Sequence, residues 1–166
     1  MTTIDEVLRA NETYARDFAL GYLPMPPARK LAVVACMDAR LTVEPMLGLK
    51  TGDAHIIRNA GGIVTEDAIR SLIISHYLLG TQEFIIINHT DCGMLTFKDE
   101  DLVSELQRSS HTTAVAPAHF YAFSNLEENV RQQIQKVKSH TWVPNTVPVR
   151  GFIYDVTSGK LSEVTL

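Results

Sequence analysis

Leu31-Ala32-Val33-Val34-Ala35-Cys36-Met37-Asp38-Ala39-Arg40 is the stretch on which the fold turns. Its first six residues are apolar or thiol-bearing, with no polar residue alternating among them. A strand with one wet face alternates. A strand covered on both faces does not, and such strands belong chiefly to parallel sheets sandwiched between helices. The run ends in a cysteine, an aspartate and an arginine at every second position. Open α/β sheets bind ligands outside the carboxyl ends of their strands. The stretch therefore predicts a buried parallel strand that delivers reactive side chains to a binding edge.

The residues downstream repeat the pattern. Met37 to Lys50 reads as a crossover with a short helical piece from Val43 to Leu47, and Ala54 to Asn59 as the next strand. Ala60-Gly61-Gly62 makes a tight turn. Thr65 caps a helix that runs to Leu79, with Ile69, Leu72, Ile73, His76 and Leu79 on its core face and Gly80 as its stop. Glu83 to Asn88 is a third strand. Helices follow over roughly Lys98 to Arg108 and Asn125 to Lys138, the second with Leu126, Val130, Ile134 and Val137 on one face. Ser109 to Pro117 reads as a mobile loop between them. Val147 to Val156 is a last strand, turned by Thr157 to Lys160 into a hairpin with Leu161 to Val164. This order predicts an α/β fold with a mostly parallel central sheet flanked by helices.

The N-terminus is different in kind. Residues 2–18 form a helix that Thr3 can cap, with Ile4, Val7, Leu8, Tyr14 and Phe18 on one face. A proline-rich connector, LGYLPMPPARK, tethers it to the first strand. Such an N-terminal helical arm packs either on its own domain or on a neighbouring subunit. With no internal repeat and no boundary, residues 1–166 read as one domain. The net charge of −4 and the lack of a basic run exclude nucleic acid and anionic membrane as partners. No apolar run reaches membrane-spanning length and the N-terminus lacks an apolar signal core, so a cytoplasmic protein is expected.

The third strand also ends on reactive groups, in Asn88-His89-Thr90-Asp91-Cys92-Gly93-Met94. Cys36 and Cys92 are the two cysteines of the chain, too few for a disulfide framework. Inert buried thiols, a redox pair and metal ligands all remain open. If the two strands are neighbours, Cys36, His89 and Cys92 converge. Cysteine and histidine are preferred zinc ligands, and three of them leave a fourth position open, as catalytic zinc sites do. Asp38 is placed to reach that position. Arg40 can grip the Asp38 carboxylate bidentately and keep it ionised. A surface salt bridge is the plainer use of that pair.

Cys36-x-Asp38-x-Arg40 followed by His89-x-x-Cys92-Gly93, with Arg58-Asn59-Ala60-Gly61-Gly62 between them, resembles the signature of the β-class carbonic anhydrases, in particular their short prokaryotic-type branch. The resemblance is strong from Leu31 to Leu95. It implies Zn2+ held by Cys36, His89 and Cys92, with Asp38 and Arg40 as the catalytic dyad. It implies reversible hydration of CO2 to bicarbonate by attack of a zinc-bound hydroxide, and a homodimer or higher homo-oligomer to which the arm is exchanged. The same branch includes hydrolases of carbonyl sulfide and carbon disulfide, so either CO2 or COS is the expected small-molecule substrate. A structural zinc protein is the remaining alternative. Pocket residues are expected from Ala60 to Val64, from Met94 to Phe97 and from the partner subunit.

Two thiolate ligands would neutralise the charge of zinc. Water at such a centre should then be less acidic than the value of about 7 that belongs to a three-histidine carbonic anhydrase site. Among the remaining polar groups, His55 is a candidate proton shuttle but reads better as a core or interface residue, and His76 reads as structural. Asp91 can hydrogen-bond locally, orient an arm or simply face solvent.

Overall fold

The computed structural model describes residues 2–114, 117 and 119–166. Five strands form one sheet: β1 (Leu31–Cys36), β2 (Ala54–Asn59), β3 (Glu83–His89), β4 (Val149–Tyr154) and β5 (Leu161–Val164). Their spatial order is β2-β1-β3-β4-β5. The first four are parallel, and β5 pairs antiparallel with β4 as the hairpin. Among the described residues five α-helices accompany them: α1 (Thr3–Arg16), α2 (Val43–Met46), α3 (Glu66–Leu79), α4 (Asp99–Ser109) and α5 (Leu126–Lys138).

The unbroken apolar run of β1 is buried from Ala32 to Cys36. Ala32 and Val34 face one core with Phe84, Ile86 and buried residues of α3 and α5. Val33 and Ala35 face the other, with Val43 of α2 and Ile87. The second face is thinly covered, and Leu31, Ile56, Ile85 and Leu161 on it stay half-exposed. From β1 the chain crosses to β2 on one side, then through α3 to β3 on the other side of β1. The winding direction thus reverses between β1 and β3. At such a switch point the crossovers diverge and leave a crevice above the strand ends.

Several boundaries differ from the sequence reading. Thr2, not Thr3, caps α1: its side chain accepts from Asp5 N while the Asp5 carboxylate accepts from Thr2 N, a reciprocal capping box. β4 begins after Pro148, which has no N–H for the ladder, and ends before Asp155, whose carboxylate accepts the amides of Thr157 and Ser158 to form the turn. In α3 the buried residues are Ala68, Ile69, Leu72 and Ser75; Ile73, His76 and Leu79 are half-buried. The loop expected from Ser109 to Pro117 includes Val115 and Ala116, which lie outside the described residues. No residue of α1 is buried, and Ile4, Val7, Leu8, Tyr14 and Phe18 are all exposed. Among the described residues, no helix is long and apolar enough to cross a membrane.

Candidate metal centre

Cys36 ends β1 and His89 ends β3, so the two flank the switch point. Past His89 the chain turns at Asp91, whose φ of 54° lies in the left-handed region that aspartate tolerates better than most residues. That turn brings Cys92 back over β1. Thr90 anchors it to β4: its amide donates to the Tyr154 carbonyl at 2.9 Å, and its hydroxyl accepts from Val156 N at 3.1 Å. The ligand atoms of Cys36, His89 and Cys92 lie within 4.8 Å of one another, and all three residues are buried. Among the described residues this is the one such cluster of His, Cys, Asp and Glu.

His89 Nδ1 lies 2.8 Å from the Thr90 carbonyl oxygen, which can only accept, so Nδ1 carries the proton and Nε2 presents a lone pair. Nε2 is buried and, among the described residues, has no hydrogen-bond partner. Leaving such an atom unsatisfied costs about 1–3 kcal/mol. It belongs to the same tight cluster as the two sulfurs, and a cation that takes Cys2His donors would satisfy all three at once. The residues present therefore fit a zinc-type divalent metal.

Electrostatics around the sulfurs agree. The Cys36 thiol is pushed down to about 4, first by the neighbouring Cys92 thiol, then by His89 and by the backbone N–H groups of Asp38 and Gly61. Cys92 is pushed up, first by the charge-bearing Cys36 beside it and then by burial. Burial opposes charging of His89, but the nearby Cys36 sulfur, the Thr90 carbonyl and the Asp38 carboxylate outweigh it and raise the imidazole. A cation among these groups would replace the protons they otherwise share.

Asp38 and Arg40 stand at the rim. Arg40 Nε donates to Asp38 Oδ1 at 3.0 Å and Nη2 to Oδ2 at 2.8 Å, a bidentate fork, while the Arg40 amide adds a third bond at 2.9 Å. This grip, the guanidinium above all, holds the Asp38 carboxyl well below the usual carboxylate range. Asp38 Oδ2 sits 3.7 Å from His89 Nε2, at the edge of the cluster. Arg40 is itself held from the other side: Nη1 donates to Asp91 Oδ2 at 2.8 Å and Nη2 to the Asp91 carbonyl at 3.0 Å. Asp91 thus orients an arm of the site.

A second arginine, quoted in the sequence reading only as part of the Arg58–Gly62 segment, was given no role there. Arg58, near the end of β2, donates Nε to the Cys36 carbonyl at 3.0 Å and Nη2 to the Asp38 carbonyl at 2.7 Å, fixing the backbone that carries the aspartate. Its signal in the sequence is a lone charge in the strand Ala54 to Asn59, which says nothing of its partners. Met94 and Leu41 pack with the two cysteines, and Leu95, Phe97 and Phe123 pack around them. These last three also line an open groove of about 640 Å3 that runs along the start of α4. His55 lies at the amino end of β2, with Nδ1 2.7 Å from Ser75 Oγ, and is not brought to the cluster. His76 Nδ1 lies 2.7 Å from the Thr81 carbonyl, a structural contact.

Comparison with known proteins agrees with this geometry. A carbonic anhydrase family model matches residues 31–161, from the first residue of β1 to the first of β5. β-Carbonic anhydrase 1 of Mycobacterium tuberculosis is 49% identical over 166 residues and covers 99% of each chain. Carbon disulfide hydrolase of Saccharolobus solfataricus is 35% identical over 180 residues, covering 95% of this chain and 87% of its own. The crystal structure of carbonic anhydrase from Streptococcus mutans superposes with a TM-score of 0.93 at 42% identity, over 99% of both chains. The chain belongs to the β-carbonic anhydrase family, a family of enzymes.

Proposed function

We propose that this chain is a zinc enzyme that hydrates CO2 reversibly to bicarbonate, with Cys36, His89 and Cys92 as metal ligands and Asp38 and Arg40 as the catalytic dyad. The observation that carries the reading is the buried, partnerless Nε2 of His89, clustered with two sulfurs beneath a carboxylate that an arginine keeps ionised. Zinc held there is a Lewis acid that makes water a nucleophile near neutral pH.

The chain's own residues do the rest. Cys36 and Cys92 bind as thiolates, and the hydrogen bond from His89 Nδ1 to Thr90 fixes the tautomer that binds through Nε2. Asp38 accepts a hydrogen bond from the attacking water and aims its lone pair at the substrate carbon. Arg40 keeps Asp38 ionised and in place. One C–O bond forms, one C=O π bond opens, bicarbonate leaves, and the proton passes to buffer. The apolar surround of Leu41, Met94 and Phe123 suits a small, uncharged, linear substrate.

A second reading has its own support in the 35% identity to a carbon disulfide hydrolase. The same dyad and ligands would act on COS or CS2, and a hydrophobic pocket discriminates such isosteres only modestly. The deciding experiment is the ratio of kcat/KM for COS to that for CO2 on one zinc-loaded preparation near pH 8.5. Rapid CO2 hydration with a small ratio supports the carbonic anhydrase reading; sluggish hydration with a large ratio assigns the site to the sulfur substrates.

We also propose that the working form is a homodimer, cytoplasmic, with α1 exchanged between copies. The apolar stripe of α1 is exposed, and the half-exposed apolar sheet face beyond α2 offers it a partner in a second copy.

A further inference from the structure

Four buried groups form a chain of hydrogen bonds that none of the chemistry above employs. The Val64 amide donates to Gln133 Oε1 at 2.9 Å, Gln133 Nε2 to Asn129 Oδ1 at 3.0 Å, and Asn129 Nδ2 to Asn88 Oδ1 at 2.6 Å. Asn88 Nδ2 then donates to the carbonyls of Gly61 and Gly62, at 2.9 and 3.3 Å. Every link runs in the same sense, so each bond polarises the next. Asn88, Asn129 and Gln133 are all buried. Burying carboxamides in an apolar core costs free energy unless they are hydrogen-bonded, and a fully bonded buried network rigidifies the segments it joins.

The chain begins and ends on one segment, Gly61 to Val64. That segment lies against β1 and β3, where a Cβ on Gly62 would stand 2.9 Å from Cys36 N and 2.8 Å from Ile87 O. Asn88 is also the residue before His89.

We infer that Asn88, Asn129 and Gln133 are positioning residues for the metal centre: a carboxamide relay from α5 that holds the Gly61–Val64 turn, and through it the Cys36 and His89 ligands, in metal-binding geometry. This inference rests on the metal-centre reading above. Partners that orient ligands in this way change metal affinity by about 10–100-fold when removed.

The test is cobalt-substituted protein, read by the thiolate-to-cobalt absorption bands and by the rate of cobalt release to a chelator. Asn129→Leu keeps the branching and heavy-atom count of the side chain and cuts the relay at its centre. Val130→Ala, on the next residue of α5 and facing the same core, loses stability without touching the relay. The expected result is altered absorption and release about 10-fold faster in Asn129→Leu, with native values in Val130→Ala at similar or greater loss of stability. Gln133→Leu, one link further along, is read in the same way if Asn129→Leu fails to fold. Release and spectra that follow stability alike in the relay and control variants would overturn the relay. A wild-type protein that takes up no cobalt would overturn the metal centre and the relay with it.

Discussion

Gly62→Ala isolates a packing contribution beside the metal centre, because the chain carries its own control in Gly48. The two glycines have nearly the same φ, +61° and +64°. An alanine pays the left-handed penalty at both, about 1–2 kcal/mol. At Gly48 nothing lies within 4 Å of the added Cβ. At Gly62 the Cβ meets Ile87 O at 2.8 Å, Asn88 Nδ2 at 2.9 Å and Cys36 N at 2.9 Å. Two of these are main-chain atoms of adjacent paired strands, and the third is pinned by the relay, so none can yield cheaply. Overpacking of this kind costs about 1–3 kcal/mol. Gly62→Ala should therefore lose about 1–3 kcal/mol more than Gly48→Ala. For a chain of this size that corresponds to roughly 2–12 °C in Tm. The assay is thermal and urea unfolding of both variants in one buffer at matched metal content. Equal losses would refute the close approach of the Gly61–Val64 turn to β1 and β3.

Metal analysis and turnover separate ligand from dyad: Cys92→Ala should lose the metal, whereas Asp38→Ala should keep it while turnover falls on the order of 10²-fold. Metal retained by Cys92→Ala would count against the ligand assignment. Arg40→Lys removes the fork that grips Asp38 and Asp91 together, and a point charge cannot replace it; kcat should drop with KM little changed, measured by stopped-flow hydration. Two thiolate ligands leave zinc less electron-withdrawing, so the hydration rate should climb from about pH 7 to about pH 9; a flat profile would contradict the thiolate-rich centre. Asp99 accepts the amides of Phe120, Tyr121 and Ala122, and these bonds, Ala122 foremost, lower its pKa. Its stabilisation is accordingly present above the ordinary carboxylate range and lost as pH falls through the lowered value. The stability gap between wild type and Asp99→Ala, about 1 kcal/mol for a half-exposed site, should shrink as urea unfolding is moved from about pH 5 to about pH 3.

Local pattern carried much of this protein. An unbroken apolar run is enough to call a buried parallel strand, because burial on both faces leaves no room for alternation. Hence β1 is read to the residue, and the cysteines, His89, Asp38 and Arg40 stand out because reactive groups close such runs. The core face of α3 came out rotated, since half-turn differences in a helix depend on what packs against it. α1 was legible as an amphipathic helix, but its apolar stripe stays exposed.

Adjacency was not legible. That β1 and β3 are neighbours follows from the reversal of winding after β2, and only that reversal brings Cys36 to His89 and leaves Nε2 without a partner. Arg58 reaches carbonyls 20 and 22 residues away, and Gln133 an amide 69 residues away. No spacing rule announces such bonds, because a backbone carbonyl has no side-chain identity and a buried carboxamide looks in sequence like a solvated one. The amino-acid sequence by itself determined which groups could do chemistry and at which end of which strands they lie, since burial and periodicity are local. The tertiary structure decided which of them meet, and what holds them there, since that depends on the order in which strands pack.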